Sequence, residues 1–130
     1  MLIAESDQGK LRERFADELT GEVRLRLGRH AGECRACAQA GEILGEVAGL
    51  SDLLTVASEE RRGPLPEIWL EGRARGEVRF VGLPSGYEFP ALVDSIVDVS
   101  RGETSLSVET LARLGGLRDR VHIQVFTTPT

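Results

Sequence analysis

The chain has 130 residues and a formal net charge of −5, and 41% of its residues are hydrophobic against 28% charged. That length supports one hydrophobic core, and an acidic chain without basic clusters argues against a nucleic-acid partner, because phosphate is bound mainly by Lys and Arg. No apolar run approaches the length of a membrane span and no secretory signal is readable at the start, so we expect a cytoplasmic protein with no membrane contact.

The first predicted elements are an amphipathic helix and a strand. Apolar residues recur at every fourth position over residues 7–19, behind a cap candidate at Ser6 or Asp7. The segment EVRLRL, residues 22–27, then alternates strictly between charged and apolar residues, which is typical of a strand with one buried face. The buried face of that strand would carry Val23, Leu25 and Leu27.

The next stretch, GECRACAQA at residues 32–40, holds both cysteines of the chain. Apolar residues at helical spacing predict a helix over residues 34–49. Such a helix would begin at Cys34 and would place Cys37 almost one turn later.

The second half of the chain predicts more strands than helices. A short strand over residues 53–57 and a polar loop lead to Pro64-Leu65-Pro66, and two alternating strands at 67–71 and 77–81 are separated by a loop short enough for a hairpin. Three further elements are predicted: a helix that opens with a capping box at Ser85 and Glu88, a short helix over residues 106–114 packed on the core, and a last strand over residues 121–126.

The order of these elements and two stretches of sequence resemble a known family. The stretches are FVGLPSGYEFPALVDSIVDVSRGETSLS at residues 80–107 and RVHIQVFTTPT at residues 120–130. They resemble the two-unit protein disulfide oxidoreductases of thermophilic archaea and bacteria, a glutaredoxin/thioredoxin-like family whose units usually carry a Cys-x-x-Cys each. The preference of the chain for Arg and Glu is compatible with a hot or GC-rich source.

The resemblance implies an α/β thioredoxin/glutaredoxin-like fold with a four-stranded mixed sheet and an extra N-terminal helix. A thioredoxin-like unit would span residues 1–102, a linker helix residues 103–118, and an extra strand at residues 119–130 would match the start of a second unit. The sequence departs from the family at three points. It lacks the second unit's Cys-x-x-Cys, and residues 56–65 are too few for the helix that precedes the family's cis-proline. The residue before the first cysteine is Glu33, where a neutral or basic residue would favour the thiolate more.

The absence of the helix before the cis-proline should leave one face of the sheet uncovered. In a glutaredoxin-like strand order the first strand lies between the second and third, which places Arg24 and Arg26 beside Glu67 and Glu71. Strands covered on both faces read as continuous apolar runs, whereas these alternate, so one face should be polar and open. We expect Trp69 to be exposed on that face, where it would dock a partner.

The family resemblance assigns Cys34 as the nucleophile and Cys37 as the resolving thiol. A helix N-terminus stabilises a thiolate at Cys34 through unpaired backbone N–H groups and the helix dipole. Arg35 would add to that stabilisation and Glu33 would oppose it. Thiol–disulfide exchange needs this combination of an accessible thiolate and a second thiol within disulfide reach.

The family also implies a substrate groove shaped by a cis-proline before the third strand. X-Pro bonds are the ones that adopt the cis form, and two are present here. Pro66 is the best match to the family's cis-proline, with Pro64 as the competitor. Leu65 and Pro66 would form the groove, and Arg35 would lie beside the reacting sulfur.

These assignments predict a thiol–disulfide oxidoreductase that acts on protein thiols and disulfides. No organic or metal cofactor is required, and a flavin-dependent thioredoxin reductase is the implied electron source. The second hypothesis is a thioredoxin-like scaffold with diminished catalytic activity that acts through its open sheet face. A homodimer through the last strand or through the polar sheet face is expected, because a strand separated from its unit exposes its edge groups.

Other roles for the two cysteines stay open at the level of sequence. A Cys-x-x-Cys is also half of a zinc site, and His30 and His122 would have to complete it. The pair would otherwise form a structural disulfide or two inert core residues. His30 is otherwise interpreted as a solvated loop residue.

Overall fold

The computed structural model describes residues 1–126, which form four strands and four helices. In chain order the elements are α1 (Glu5–Glu18), β1 (Val23–Arg29), α2 (Arg35–Ala48), β2 (Leu54–Glu60), β3 (Glu67–Glu71), β4 (Val78–Val81), α3 (Glu88–Arg101) and α4 (Val108–Gly115). The strands form one sheet in the order β2-β1-β3-β4. Strand β1 is parallel to β2 and antiparallel to β3, and β3 is antiparallel to β4, so the mixed sheet expected from the sequence is confirmed.

The hydrophobic core lies between one face of this sheet and the helices α1 to α3. The alternation of β1 sends Val23, Leu25 and Leu27 into the core, where each is at most 3% exposed. Burial of such side chains stabilises the fold by roughly 1.5–3 kcal/mol each. The sequence pattern therefore predicted the buried face of β1 correctly.

Helix α1 and the segment before it are anchored without the cap that the sequence indicated. The helix begins at Glu5, its N-cap Ala4 makes no side-chain bond, and the Ser6/Asp7 cap prediction is wrong. The carboxylate of Glu46 on α2 instead accepts the backbone N–H groups of Leu2 and Ile3, at 2.5 and 2.8 Å. These two bonds hold the N-terminal segment against α2 and lower the pKa of Glu46.

The predicted capping box at the start of α3 is also wrong. The helix begins at Glu88 behind Tyr87, which makes no side-chain cap bond. Ser85 belongs to a tight turn, in which its N–H donates to the Leu83 carbonyl at 2.9 Å. Pro90 falls in the first turn of α3, where its missing N–H costs nothing because the first N–H groups of a helix have no partner within it.

No helix lies between β2 and β3, as the sequence predicted, and a short connection over residues 61–66 joins the two strands. The peptide bond between Leu65 and Pro66 in this connection is cis. The sheet face opposite the core therefore carries charged side chains in place of a helix. Arg26 bonds Glu71 at 2.7 Å and also pairs with Glu59 on β2.

Trp69 lies on this charged face, but the prediction that its side chain is exposed is wrong. The residue is only 2% exposed. Three guanidinium groups cover its ring, those of Arg26, Arg61 and Arg79, with Cζ atoms 5.7, 4.3 and 5.4 Å from the ring centroid. An indole face attracts cations through its quadrupole, so arginine stems and heads take over the covering role that a helix would have had.

The C-terminal part departs furthest from the sequence-based expectations. Helix α4 buries no residue, so the prediction that it packs on the core is wrong. Residues 121–126 form no strand, and every described residue from Arg101 onward is exposed. Residues 127–130 of the expected extra strand lie outside the described part of the chain. The proposed division at residues 102 and 118 stays a prediction.

Candidate redox site

The two cysteines form a disulfide at the start of α2, with an S–S distance of 2.03 Å. Strand β1 ends at Arg29, a short loop follows, and Cys34 becomes the N-cap of the helix with extended backbone angles. The N–H of Cys37 donates to Cys34 Sγ at 3.2 Å. The sulfur of Cys34 thus takes the place that a Ser or Asp oxygen usually has at a helix N-terminus.

The two sulfurs differ in their access to solvent. Cys37 is 3% exposed, whereas Cys34 is half-buried. An attacking thiolate therefore reaches Cys34 more readily than Cys37. The two flanking charges, Glu33 and Arg35, are both exposed beside the half-buried sulfur.

The connection with the cis peptide bond lies at the same edge of the sheet as the disulfide. Glu67, which directly follows Pro66, pairs in register with Gly28, and Gly28 lies just before the loop that leads to Cys34. Pro66 is buried, Leu65 is half-buried, and the Pro66 carbonyl accepts the N–H of Gly82 at 2.8 Å. The topology therefore brings the two predicted parts of the site to one edge, although they are about thirty residues apart in the chain.

A cleft of about 450 Å³ opens beside Cys34, on the side of the edge strand β2. It is lined by both cysteines and by Leu27, Arg29, His30, Gly32, Ala38, Gly41, Val56 and Ser58. Leu65, Pro66 and Arg35 are not among its lining residues. No pattern in the sequence indicated this cleft, because its walls come from β1, α2 and β2 and meet only through the parallel pairing of β1 with β2.

The zinc alternative finds no support in the arrangement of side chains. A zinc site needs four ligands, and within residues 1–126 no three His, Cys, Asp or Glu side chains lie close enough together to hold a metal ion. His30 lines the cleft, and His122 lies exposed in the C-terminal segment.

A four-stranded mixed sheet in this order, with a Cys-x-x-Cys at the start of the helix after β1 and a cis-proline before β3, defines a thioredoxin-like fold. Solved structures agree. The chain is similar to the alkylhydroperoxide reductase AhpF of Enterococcus faecalis, with a TM-score of 0.78 and 22% identity over 91% of this chain. It is also similar to a protein disulfide oxidoreductase from Aeropyrum pernix, with a TM-score of 0.75 and 23% identity over 90% of this chain.

These likenesses establish the fold, and they confirm at that level the resemblance read from the sequence. The chain spans 62% of the first structure and 56% of the second, so both contain a substantial part that has no counterpart here. No protein-family model matches the chain, and no curated protein matches it either. In the described part of the chain, no helix has the length and apolar character that a membrane span requires.

Proposed function

We propose that this chain is a thiol–disulfide oxidoreductase that exchanges disulfides with protein substrates through Cys34 and Cys37. The observation that carries the proposal is the unequal pair at the helix start. Cys34 is reachable and accepts an N–H from the helix, and Cys37 is buried one turn behind it. When the pair is reduced, the same N–H group and the helix dipole stabilise a thiolate at Cys34.

The exchange runs in two steps. The Cys34 thiolate attacks one sulfur of a substrate disulfide, a bond forms between Cys34 and that sulfur, and the other substrate sulfur leaves as a thiolate. The Cys37 thiolate then attacks Cys34 Sγ, which closes the Cys34–Cys37 disulfide and releases the second substrate thiolate. Two electrons pass from the dithiol to the substrate, and the reverse sequence oxidises a substrate dithiol.

The substrate would be a protein segment that lies at the sheet edge shared by the two parts of the site. Leu65 and Pro66 are proposed to contact its backbone, and Arg35 its surface beside the reacting sulfur. This assignment is supported by the register of β3 with β1, which brings the connection before β3 to the loop before Cys34. The cleft between α2 and β2 would accept side chains that flank the substrate cysteine.

Reduction of the chain after each turnover requires a donor of two electrons. We propose a flavin-dependent thioredoxin reductase for this role, in a cytoplasmic setting, and we assign no cofactor to the chain itself. A reductase of this class transfers electrons by the same dithiol exchange at Cys34.

The proposal is tested by labelling thiols after the protein has equilibrated in a series of defined redox buffers. Wild-type protein should show one reversible two-electron transition, which is lost in Cys34→Ser and in Cys37→Ser. In the reduced protein, Cys34 should react with iodoacetamide faster than Cys37 at neutral pH. Two thiols that stay reduced in every buffer, or that react only after unfolding, would refute a redox function.

The alternative of a scaffold that docks partners on the open sheet face loses its main support. That hypothesis assigned docking to the polar sheet face and an exposed Trp69, and the Trp69 side chain is buried beneath arginines. Many of the large exposed apolar side chains lie instead on α4 and beyond. They include Leu111, Leu114, Ile123 and Val125, between 43% and 80% exposed.

We propose that a second copy of the chain covers these C-terminal apolar side chains and forms a homodimer. Exposed apolar groups on this scale favour association in water. Light scattering should give a dimer that Leu111→Asp converts to a monomer, with Glu109→Asp as a control on the same helix. A wild-type monomer over a broad range of concentration would rule the dimer out.

A further inference from the structure

Arg61 makes the closest contact with the buried indole of Trp69 on the sheet face that lacks a helix. Its Cζ lies 4.3 Å from the ring centroid. The other two arginines over the ring are held by short ion pairs, since Arg26 bonds Glu71 at 2.7 Å and Arg79 bonds Glu67 at 3.1 Å. Arg61 has a weaker ionic contact, 3.9 Å to Glu59, so Trp69 is its principal partner among the described residues.

The side chain of Arg61 reaches Trp69 by crossing a neighbouring strand at a glycine. Arg61 directly follows the edge strand β2, and its N–H donates to the Arg29 carbonyl of β1 at 2.9 Å. A methyl group built on Gly28 of β1 would lie 3.0 Å from Arg61 Cγ and 3.0 Å from Trp69 Cη2. Gly28 thus leaves the space in which the arginine stem passes over β1 to the ring on β3.

The contact of Arg61 with Trp69 joins β2, β1 and β3. It lies where the chain leaves the sheet toward the two parts of the proposed site, the dithiol and the connection with the cis-proline. On one side lies the loop from Arg29 to Cys34, and on the other lies the connection over residues 61–66 that ends in Leu65 and Pro66. The connection is held at its start by Arg61 and at its end by the 2.8 Å bond from the Gly82 N–H to the Pro66 carbonyl. No helix supports the connection, so its place relative to Cys34 depends on these two attachments and on the pairing of β3 with β1 that follows it.

We infer that Arg61 is a positioning residue that determines specificity for protein disulfides over small ones. Through its stack on Trp69 it holds the connection over residues 61–66 against β1, so that Leu65 and Pro66 meet the backbone of a protein substrate whose sulfur reacts at Cys34. A small disulfide needs only access to Cys34 and does not use this support. The inference rests on the proposed function, and it adds a residue outside the groove to the determinants of substrate choice.

The test compares two substrates with the pre-reduced chain in a single turnover. The protein substrate is insulin, whose chains are joined by disulfides, and the small one is dithiobis(nitrobenzoate). The variants are Arg61→Ala, Arg61→Lys and, as a matched control, Arg62→Ala, which removes the same charge from the exposed neighbour in the same connection. Circular dichroism and a urea titration verify that each variant is folded.

Arg61→Ala should slow insulin reduction about fivefold or more and should change the rate with the small disulfide by less than about twofold, the difference expected from loss of one cation–π contact. Arg61→Lys should recover part of the insulin rate, because it keeps the charge but not the planar stack. Arg62→Ala should resemble the wild type with both substrates. Equal losses with both substrates, or no loss with insulin, would overturn the inference.

The fluorescence of Trp69, the only tryptophan in the chain, separates failure of this inference from failure of the proposed function. Arg61→Ala should shift the emission to longer wavelength because it uncovers the ring, and Arg62→Ala should not. Wild-type protein that reduces neither substrate would refute the proposed function, and with it a role in substrate choice. An unshifted emission in Arg61→Ala would refute the positioning contact whether or not the chain is active.

Discussion

The hydroxyl of Ser100 is the one buried polar side chain in the described core, and it allows a quantitative test of the fold. It is fully buried near the end of α3. Its Oγ donates to the Gly21 carbonyl at 2.7 Å and accepts the N–H groups of Thr20 and Gly21, both at 3.0 Å. One oxygen therefore satisfies three backbone groups in the turn between α1 and β1.

We predict that Ser100→Ala lowers the free energy of unfolding by about 1.5–5.5 kcal/mol. Two of the three backbone groups that lose their partner are those of buried Gly21, and each unsatisfied buried group costs roughly 1–3 kcal/mol. Alanine recovers up to about 0.5 kcal/mol through its better helix propensity, so the summed cost of about 2–6 kcal/mol for the two groups becomes about 1.5–5.5 kcal/mol. The dithiol lies at the opposite edge of the sheet, so exchange rates of the folded variant should stay at the wild-type level.

The measurement is urea unfolding followed by circular dichroism, analysed with a common slope. Ser95→Ala on the same helix is the matched control, because it carries the same propensity gain at a site without a side-chain hydrogen bond in the described structure. A loss for Ser100→Ala no larger than the change for Ser95→Ala would show that water or a shifted turn satisfies the backbone groups. The reasoning about this hydroxyl would then be refuted.

Three further predictions concern other parts of the chain. Glu46→Gln should destabilise the protein at neutral pH. The backbone N–H groups of Leu2 and Ile3 lower the pKa of Glu46 from its ordinary value near 4.5. The stabilisation by the Glu46 carboxylate is therefore present above that pH and is lost as the pH falls through the lowered pKa of the folded state. The stability gap to wild type should therefore close in acid, with Glu42→Gln showing no gap, and a gap independent of pH would contradict this account. Gly72→Ala should cost about 1–3 kcal/mol in urea unfolding, since its methyl group would lie 2.7 Å from Val99 Cγ1; an unchanged midpoint would show that Val99 can move aside. Cys37→Ser should accumulate a mixed disulfide between Cys34 and a protein substrate, visible on a non-reducing gel and absent with both cysteines replaced, because no resolving thiol remains.

Local patterns in the sequence were sufficient for most of the regular elements. The strand patterns predicted β3 with its observed bounds and β1 to within two residues at each end. In β1 the pattern alternates strictly because one face of the strand meets the core. The apolar spacing after Cys34 predicted α2, although the helix contains two glycines. The helix starts were harder to predict, since the caps at Ala4 and Tyr87 involve backbone bonds that no side-chain signature announces.

The candidate site was also predicted only in part from the sequence. The spacing of the cysteines indicated a dithiol at a helix start, and the family resemblance pointed to Pro66 rather than Pro64. The cleft beside Cys34 could not be predicted, because it forms where β1 and β2 meet in register. The error about Trp69 has a similar origin, since its position on the polar face was predictable while its cover by Arg61 depends on how the connection crosses β1.

The C-terminal segment shows the limit of pattern-based prediction most clearly. Its alternation over residues 121–126 is typical of a strand. A strand also needs the N–H and C=O groups of a neighbour, and no partner strand pairs with this segment in the described structure. The periodic faces of the helices and strands and the dithiol at the start of α2 could be predicted from the sequence, because these features follow from spacing along one element. The cover of Trp69, the lining of the cleft beside Cys34 and the exposure of α4 required the three-dimensional structure, because each depends on contacts between residues far apart in the chain.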